Sequence, residues 1–174
     1  MANLRISYSR CFNSVISNNA PNNITDLNLF HDKPSLRALG LGGYGIEDIS
    51  YVEKMHGMKY LYLNNNNIGN VNFISNLTHL EGFHIGGNKV LDIEPLKKLH
   101  KLTDLRLGSN EISDIRVLEN LTNLEMLFLN NNEITNIKPL LKLTKLEHLD
   151  ISSNPINDIE TIEILKKRIP RFIF

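Results

Sequence analysis

From Leu36 onward the chain repeats itself every 22 residues, in blocks opening at Leu36, Met58, Leu80, Leu102, Leu124 and Leu146, with no insertion before Lys167. A fixed period of this length signals a stacked-repeat architecture, in which no unit buries its apolar face alone. One block, LTDLRLGSNEISDIRVLENLTN (102–123), places apolar residues at positions 1, 4, 6, 11, 14, 17 and 20, with Asn at position 9. In all six blocks those seven columns hold an aliphatic residue, Met or, once, Phe83. Composition follows from this pattern. Leu and Ile supply 47 of the 174 residues, and 36 of them fill the 42 core-column positions, whereas Phe and Tyr number only 12. The core therefore wants aliphatic side chains of one size, repeated.

The pattern L-x-x-L-x-L-x-x-N-x-I-x-x-I resembles the leucine-rich repeat family in its 22-residue form, above all the internalin-type bacterial repeats. It is also similar to eukaryotic phosphatase-regulatory subunits built from 22-residue repeats. The resemblance covers residues 36–167. It implies an α/β fold, a right-handed leucine-rich-repeat solenoid with a parallel β-sheet on its concave face and 3-10 or short helical turns on its convex face.

Elementary geometry agrees. Positions 3 to 7 of each block suit a short strand whose residues alternate direction, with 4 and 6 inward and 3 and 5 outward. Asn66, Asn88, Asn110, Asn132 and Asn154, at position 9, fall where the chain leaves the strand, and a buried amide there can satisfy turn backbone. Too few residues remain for a full helix and two loops, so 3-10 or single-turn helices are expected. Asp48, Asn70, Asp92, Asp114, Asn136 and Asp158, at position 13, stand ready to cap these turns. Pro95 and Pro139, at position 16, fit a first helical turn.

Both ends of the array need covers. Residues 22–35 match the second half of a block, and residues 1–21 read as an N-terminal cap with a short helix around Arg5 to Ile16. Six full repeats span 36–167. Residues 160–174 overlap the last repeat and read as a capping helix, Glu160 to Arg168, followed by an edge strand after Pro170. With covers at both ends, a complete small protein is expected.

The outward strand positions carry the candidate site. Position 3 reads Ala38, Tyr60, Gly82, Asp104, Met126 and His148; position 5 reads Gly40, Tyr62, His84, Arg106, Phe128 and Asp150. The core does not need these side chains, yet Tyr, Phe, Met and Arg are the types enriched at interface hot spots. Strands about 4.8 Å apart would align Tyr62, His84, Arg106 and Phe128 into one ridge. The partner-binding set is therefore Tyr60, Tyr62, His84, Asp104, Arg106, Met126, Phe128, His148 and Asp150. Cross-strand pairs that merely stabilise an exposed sheet are the plainer reading of the same residues. Positions 7 and 8 are mostly Gly, Ser and Asn, which would leave a trough beside the ridge or simply serve tight turns. Basic Arg37 and Lys59 lie toward the first blocks and acidic Glu125, Glu147 and Asp150 toward the last, a gradient that would orient a partner.

Other chemistries find little support. Lys and Arg (19) balance Asp and Glu (19), which argues against a nucleic-acid or membrane-surface partner. The lone Cys11 closes no internal disulfide, and no thiolate set, histidine spacing or phosphate-binding loop indicates a metal or other cofactor. His84 beside Arg106, and His148 beside Asp150, are the histidine constellations of the face, and an open sheet offers a general base no enclosing pocket. The sequence reads as a non-enzymatic, monomeric module that binds a protein through its concave face. A phosphatase-regulatory subunit, a self-associating array and a secreted effector are the alternatives. With no apolar run long enough to span a membrane and a poor leader, a cytoplasmic bacterial protein, or an effector exported by another route, is expected.

Overall fold

The computed structural model describes residues 7–9, 14–17 and 36–174. Among these, nine strands form one open sheet in chain order. They are β1 (Ser7–Ser9), β2 (Ser14–Ser17), β3 (Ala38–Leu41), β4 (Tyr60–Tyr62), β5 (Gly82–His84), β6 (Asp104–Arg106), β7 (Met126–Phe128), β8 (His148–Asp150) and β9 (Arg171–Ile173). From β3 to β8 each strand pairs in parallel with the next at the repeat register, Ala38 opposite Tyr60 through Met126 opposite His148. The sheet lines the concave side of a leucine-rich-repeat solenoid. Short 3-10 turns, Ser50–Lys54, Asn72–Ile74, Glu94–Lys98, Arg116–Asn120 and Lys138–Lys142, return the chain on the other side. Pro95 and Pro139 stand in the first turn of two of them, where a missing N–H costs nothing.

The core follows the seven columns with one exception. Of the 42 column positions, 41 are buried, and Ile159 alone is 65 % exposed. Elsewhere the position-14 isoleucine is the N-cap of a 3-10 turn, as at Ile49, Ile93, Ile115 and Ile137. In the last block an α-helix, α1 (Ile159–Arg168), starts one residue earlier with Asp158 as N-cap, and the altered backbone path turns Ile159 to solvent. Arg168 ties α1 to the preceding repeat, donating to the carbonyls of Leu140, Leu141 and Leu143.

The asparagine column is the polar spine of the core. Asn110 Nδ2 donates to the carbonyls of Ile85 (3.1 Å) and Leu107 (2.9 Å), and its Oδ1 accepts from Val90 N–H (3.0 Å). Asn88, Asn132 and Asn154 repeat that pattern at the period of the array. Each amide thus closes its own turn and clamps the repeat before it, which satisfies groups that burial would otherwise leave unpaired. At position 13, Asp48, Asn70, Asp92, Asp114 and Asn136 each accept the N–H two residues on, at the start of the 3-10 turn. Asp158 instead accepts from Thr161, three residues on, as suits an α-helix.

The N-terminal cover differs from expectation. In place of the expected helix over Arg5 to Ile16, the described residues of that stretch form strands, β1 and β2 pairing antiparallel. β2 then pairs in parallel with β3, Ser14 opposite Ala38, a spacing of 24 residues rather than 22. Ser-Val-Ile-Ser is a weak helix former and a good strand former, and the unpaired edge of β3 offers it backbone partners. The half-repeat at 22–35 and Cys11 lie outside the described residues.

Candidate functional site

The outward face is built by positions 3 and 5 of successive strands, so each side chain is fixed by its strand and meets residues one period away. At the first-block end, Tyr60 Oη donates to Glu81 Oε2 (2.8 Å), while Lys59 Nζ reaches Glu81 Oε1 (2.7 Å). These bonds from Lys59 and then Tyr60 hold the Glu81 carboxyl below its usual range; the bond to Glu81, with some burial, raises the Tyr60 phenol. Gly82 makes room for this arrangement, because a Cβ there would come 2.9 Å from Tyr60 Cδ1. Glu81 was not among the residues read from the sequence. Its signal was present, though, as opposite charges on Lys59 and Glu81 one period apart.

A chain of contacts then runs across five strands, β4 to β8. Tyr60 and Tyr62 have ring centroids 6.4 Å apart, and Tyr62 packs against the His84 ring at 4.5 Å. His84 Nε2 lies 2.9 Å from Asp104 Oδ2. Arg106 grips the same carboxylate twice, Nε on Oδ1 and Nη2 on Oδ2, both at 3.1 Å. Its guanidinium sits 4.9 Å from the Phe128 ring centre, and Phe128 in turn packs on His148 at 4.6 Å. Burial raises the Asp104 carboxyl, but the bonds and charges of His84 and Arg106 outweigh it and hold the group below the carboxylate range. Burial first, then the Asp104 charge, pushes the Tyr62 phenol up.

Of the nine residues, the structure joins seven, from Tyr60 through Tyr62, His84, Asp104, Arg106 and Phe128 to His148. Met126 is half-buried on β7, opposite Asp104 and His148 in register. Asp150 is separate. Its Oδ1 accepts both the N–H and the hydroxyl of Ser152, so it serves its own turn rather than His148. Nor is Arg106 the partner of His84; Asp104 lies between them.

The small-residue columns have a backbone cause. The whole of position 8 is left-handed: Gly43, Asn65, Gly87, Ser109, Asn131 and Ser153 have φ between 54° and 79°. Gly, Asn and Ser are there because the turn demands that conformation. At position 7 the repeats approach closely, and a Cβ on Gly86 would meet the Gly108 carbonyl oxygen at 3.0 Å. A shallow depression of about 370 Å³ nevertheless lies beside the ridge, with Arg106 and Phe128 in its wall. A larger one, about 660 Å³, lies between the 3-10 turns at Glu94–Lys98 and Arg116–Asn120. Its wall holds the mutually paired ions Glu94–Lys97 and Asp114–Arg116, which are exposed and already satisfied. Among the described residues, no three His, Cys, Asp or Glu side chains gather to hold a metal, and no helix is long and apolar enough to cross a membrane.

Comparison with known proteins agrees with the fold. The family model for leucine-rich repeats (two copies) matches residues 56–98, 78–121 and 122–166. The crystal structure of internalin C2 from Listeria monocytogenes superposes with a TM-score of 0.85 at 24% identity, covering 92% of this chain and 79% of that one. An internalin (InlF) from the same species gives 0.76 at 25% identity over 91% of this chain and 53% of its own. A leucine-rich repeat protein of Leptospira interrogans gives 0.67 at 27% identity, over 78% of this chain and 35% of its own. No curated protein sequence matches. With its repeats matched from residue 56 to 166 and its sheet superposing on internalin structures, the chain belongs to the leucine-rich repeat family.

Proposed function

We propose that this chain is a non-enzymatic module that takes a protein partner on its concave face, centred on β4 to β7. The observation that carries this reading is the unbroken contact chain from Tyr60 to His148. Its inner members are only slightly exposed, 14 % for the His84 side chain and 17 % for Asp104, and they hold the outer ones in place. Tyr62, Arg106 and Phe128 are consequently rigid before any partner arrives, so little side-chain entropy remains to be lost on binding. Rigid Tyr, Arg and Phe on an open surface have the composition of an interface centre. Leucine-rich repeat proteins generally bind protein partners, which supports the same reading. The fixed His84–Asp104 pair sits on an open sheet without the enclosure that acid–base catalysis uses, which favours binding over catalysis.

The test is capture from lysate with wild type and with a Tyr62→Ala/Phe128→Ala double variant. The double variant should lose the partner while its melting temperature stays nearly unchanged. Equal capture by both proteins would sink the concave-face reading.

A further inference from the structure

Arg106, in the middle of the ridge, uses only part of its hydrogen-bonding capacity. It spends Nε and one N–H of Nη2 on Asp104, and its guanidinium carbon lies over the Phe128 ring. No described residue accepts from Nη1. A guanidinium has five donors in a planar fork, so this one keeps a second edge available. The side chain is 43 % exposed. It is also locked: two bonds and a ring contact define its rotamer.

Arg106 lines the depression beside the ridge, and the other lining residues are all uncharged. Two of them add donors. Asn64 Oδ1 accepts from Gly86 N–H at 2.8 Å, which leaves its Nδ2 as the open end of that amide. Ser109 Oγ accepts from Asn131 Nδ2 at 3.2 Å, which leaves its O–H to donate. A preoriented cation, an amide N–H and a hydroxyl are thus among the groups lining one space that holds no carboxylate. The negative charge of Asp104 is engaged on both oxygens by His84 and Arg106.

We propose that this depression is the position at which the partner inserts an acidic side chain, an Asp or Glu carboxylate, onto the free edge of Arg106. This rests on the concave-face reading and adds the chemistry of the group recognised. A carboxylate is favoured over a neutral carbonyl because charge-assisted bonds to arginine are shorter and about twice as strong. Once a partner covers this guanidinium, the edge that Asp104 does not serve needs a hydrogen-bond acceptor, which a carboxylate supplies.

The test is a selection of random displayed peptides on the immobilised wild-type chain, with the Tyr62→Ala/Phe128→Ala variant as a second bait. Peptides that bind only the wild type should share an Asp or Glu at one position. Changing that residue to Asn or Gln in a synthetic copy should weaken binding about 10- to 100-fold, as expected for a lost charge-assisted bond. Arg106→Gln in the protein should weaken the acidic peptide equally, and the neutral peptide should no longer distinguish it from wild type. Ridge-dependent peptides without a shared acid, or acidic and neutral copies binding alike, would overturn the inference and leave the docking reading standing. A selection with no ridge-dependent peptide would count against both.

Discussion

His84 and Asp104 are joined across neighbouring strands, Nε2 to Oδ2 at 2.9 Å, although the residue opposite His84 in register is Arg106. The carboxylate therefore sits between an imidazole and a guanidinium, and it organises the face on which both stand.

That position makes Asp104 a contributor to acid sensitivity. Its folded pKa is depressed, so as pH falls the unfolded chain takes up the proton first. The stabilisation is complete above about pH 5 and is lost as pH drops through the folded value. Asp104→Asn should cost about 1–2 kcal/mol at neutral pH and show a shallower acid limb. Urea midpoints between pH 7 and pH 2 measure this; parallel curves for the two proteins would refute it.

The asparagine spine should be graded by burial. Asn110 is 9% exposed, and its removal leaves the buried Val90 N–H and the Ile85 and Leu107 carbonyls without these partners. Asn110→Ala should cost about 3 kcal/mol or more. Asn154 makes the equivalent bonds but is only partly buried, so water can replace them. Asn154→Ala is expected to cost about half as much, and equal losses in chemical denaturation would contradict the argument.

Ile159 and Ile137 occupy the same column with opposite exposure, 65 % against 0 %. Ile137→Ala should destabilise by about 2–5 kcal/mol, because it opens a cavity in a packed interior. Ile159→Ala should stay within about 0.5 kcal/mol of wild type. Thermal unfolding of the pair decides the matter.

Gly43 isolates backbone strain from packing. A Cβ there meets nothing within 4 Å, yet φ is +79°. Gly43→Ala should therefore lower stability by about 1 kcal/mol through conformation alone. An unchanged melting temperature would show that the turn can relax, and the left-handed requirement would fall with it.

Much of this molecule was legible in its sequence. In a solenoid each block meets only its neighbours, so a fixed 22-residue period determines which columns face the core, where the chain turns and which asparagines hold those turns. The position-8 residues were legible only in part: Gly, Asn and Ser indicated turns, and the φ values show that every one of them is left-handed. The period stops informing where the repeats stop. The N-terminal cover became a strand pair because the open edge of β3 supplied backbone partners, and Ile159 left the core because α1 began one residue early. On the outward face the sequence determined which residues would stand in line. Which of them touch was decided by the tertiary structure, since side chains lean along and across strands in ways that register alone does not set. Asp104 thus bridges His84 and Arg106, while Asp150, in the matching column, folds back onto Ser152.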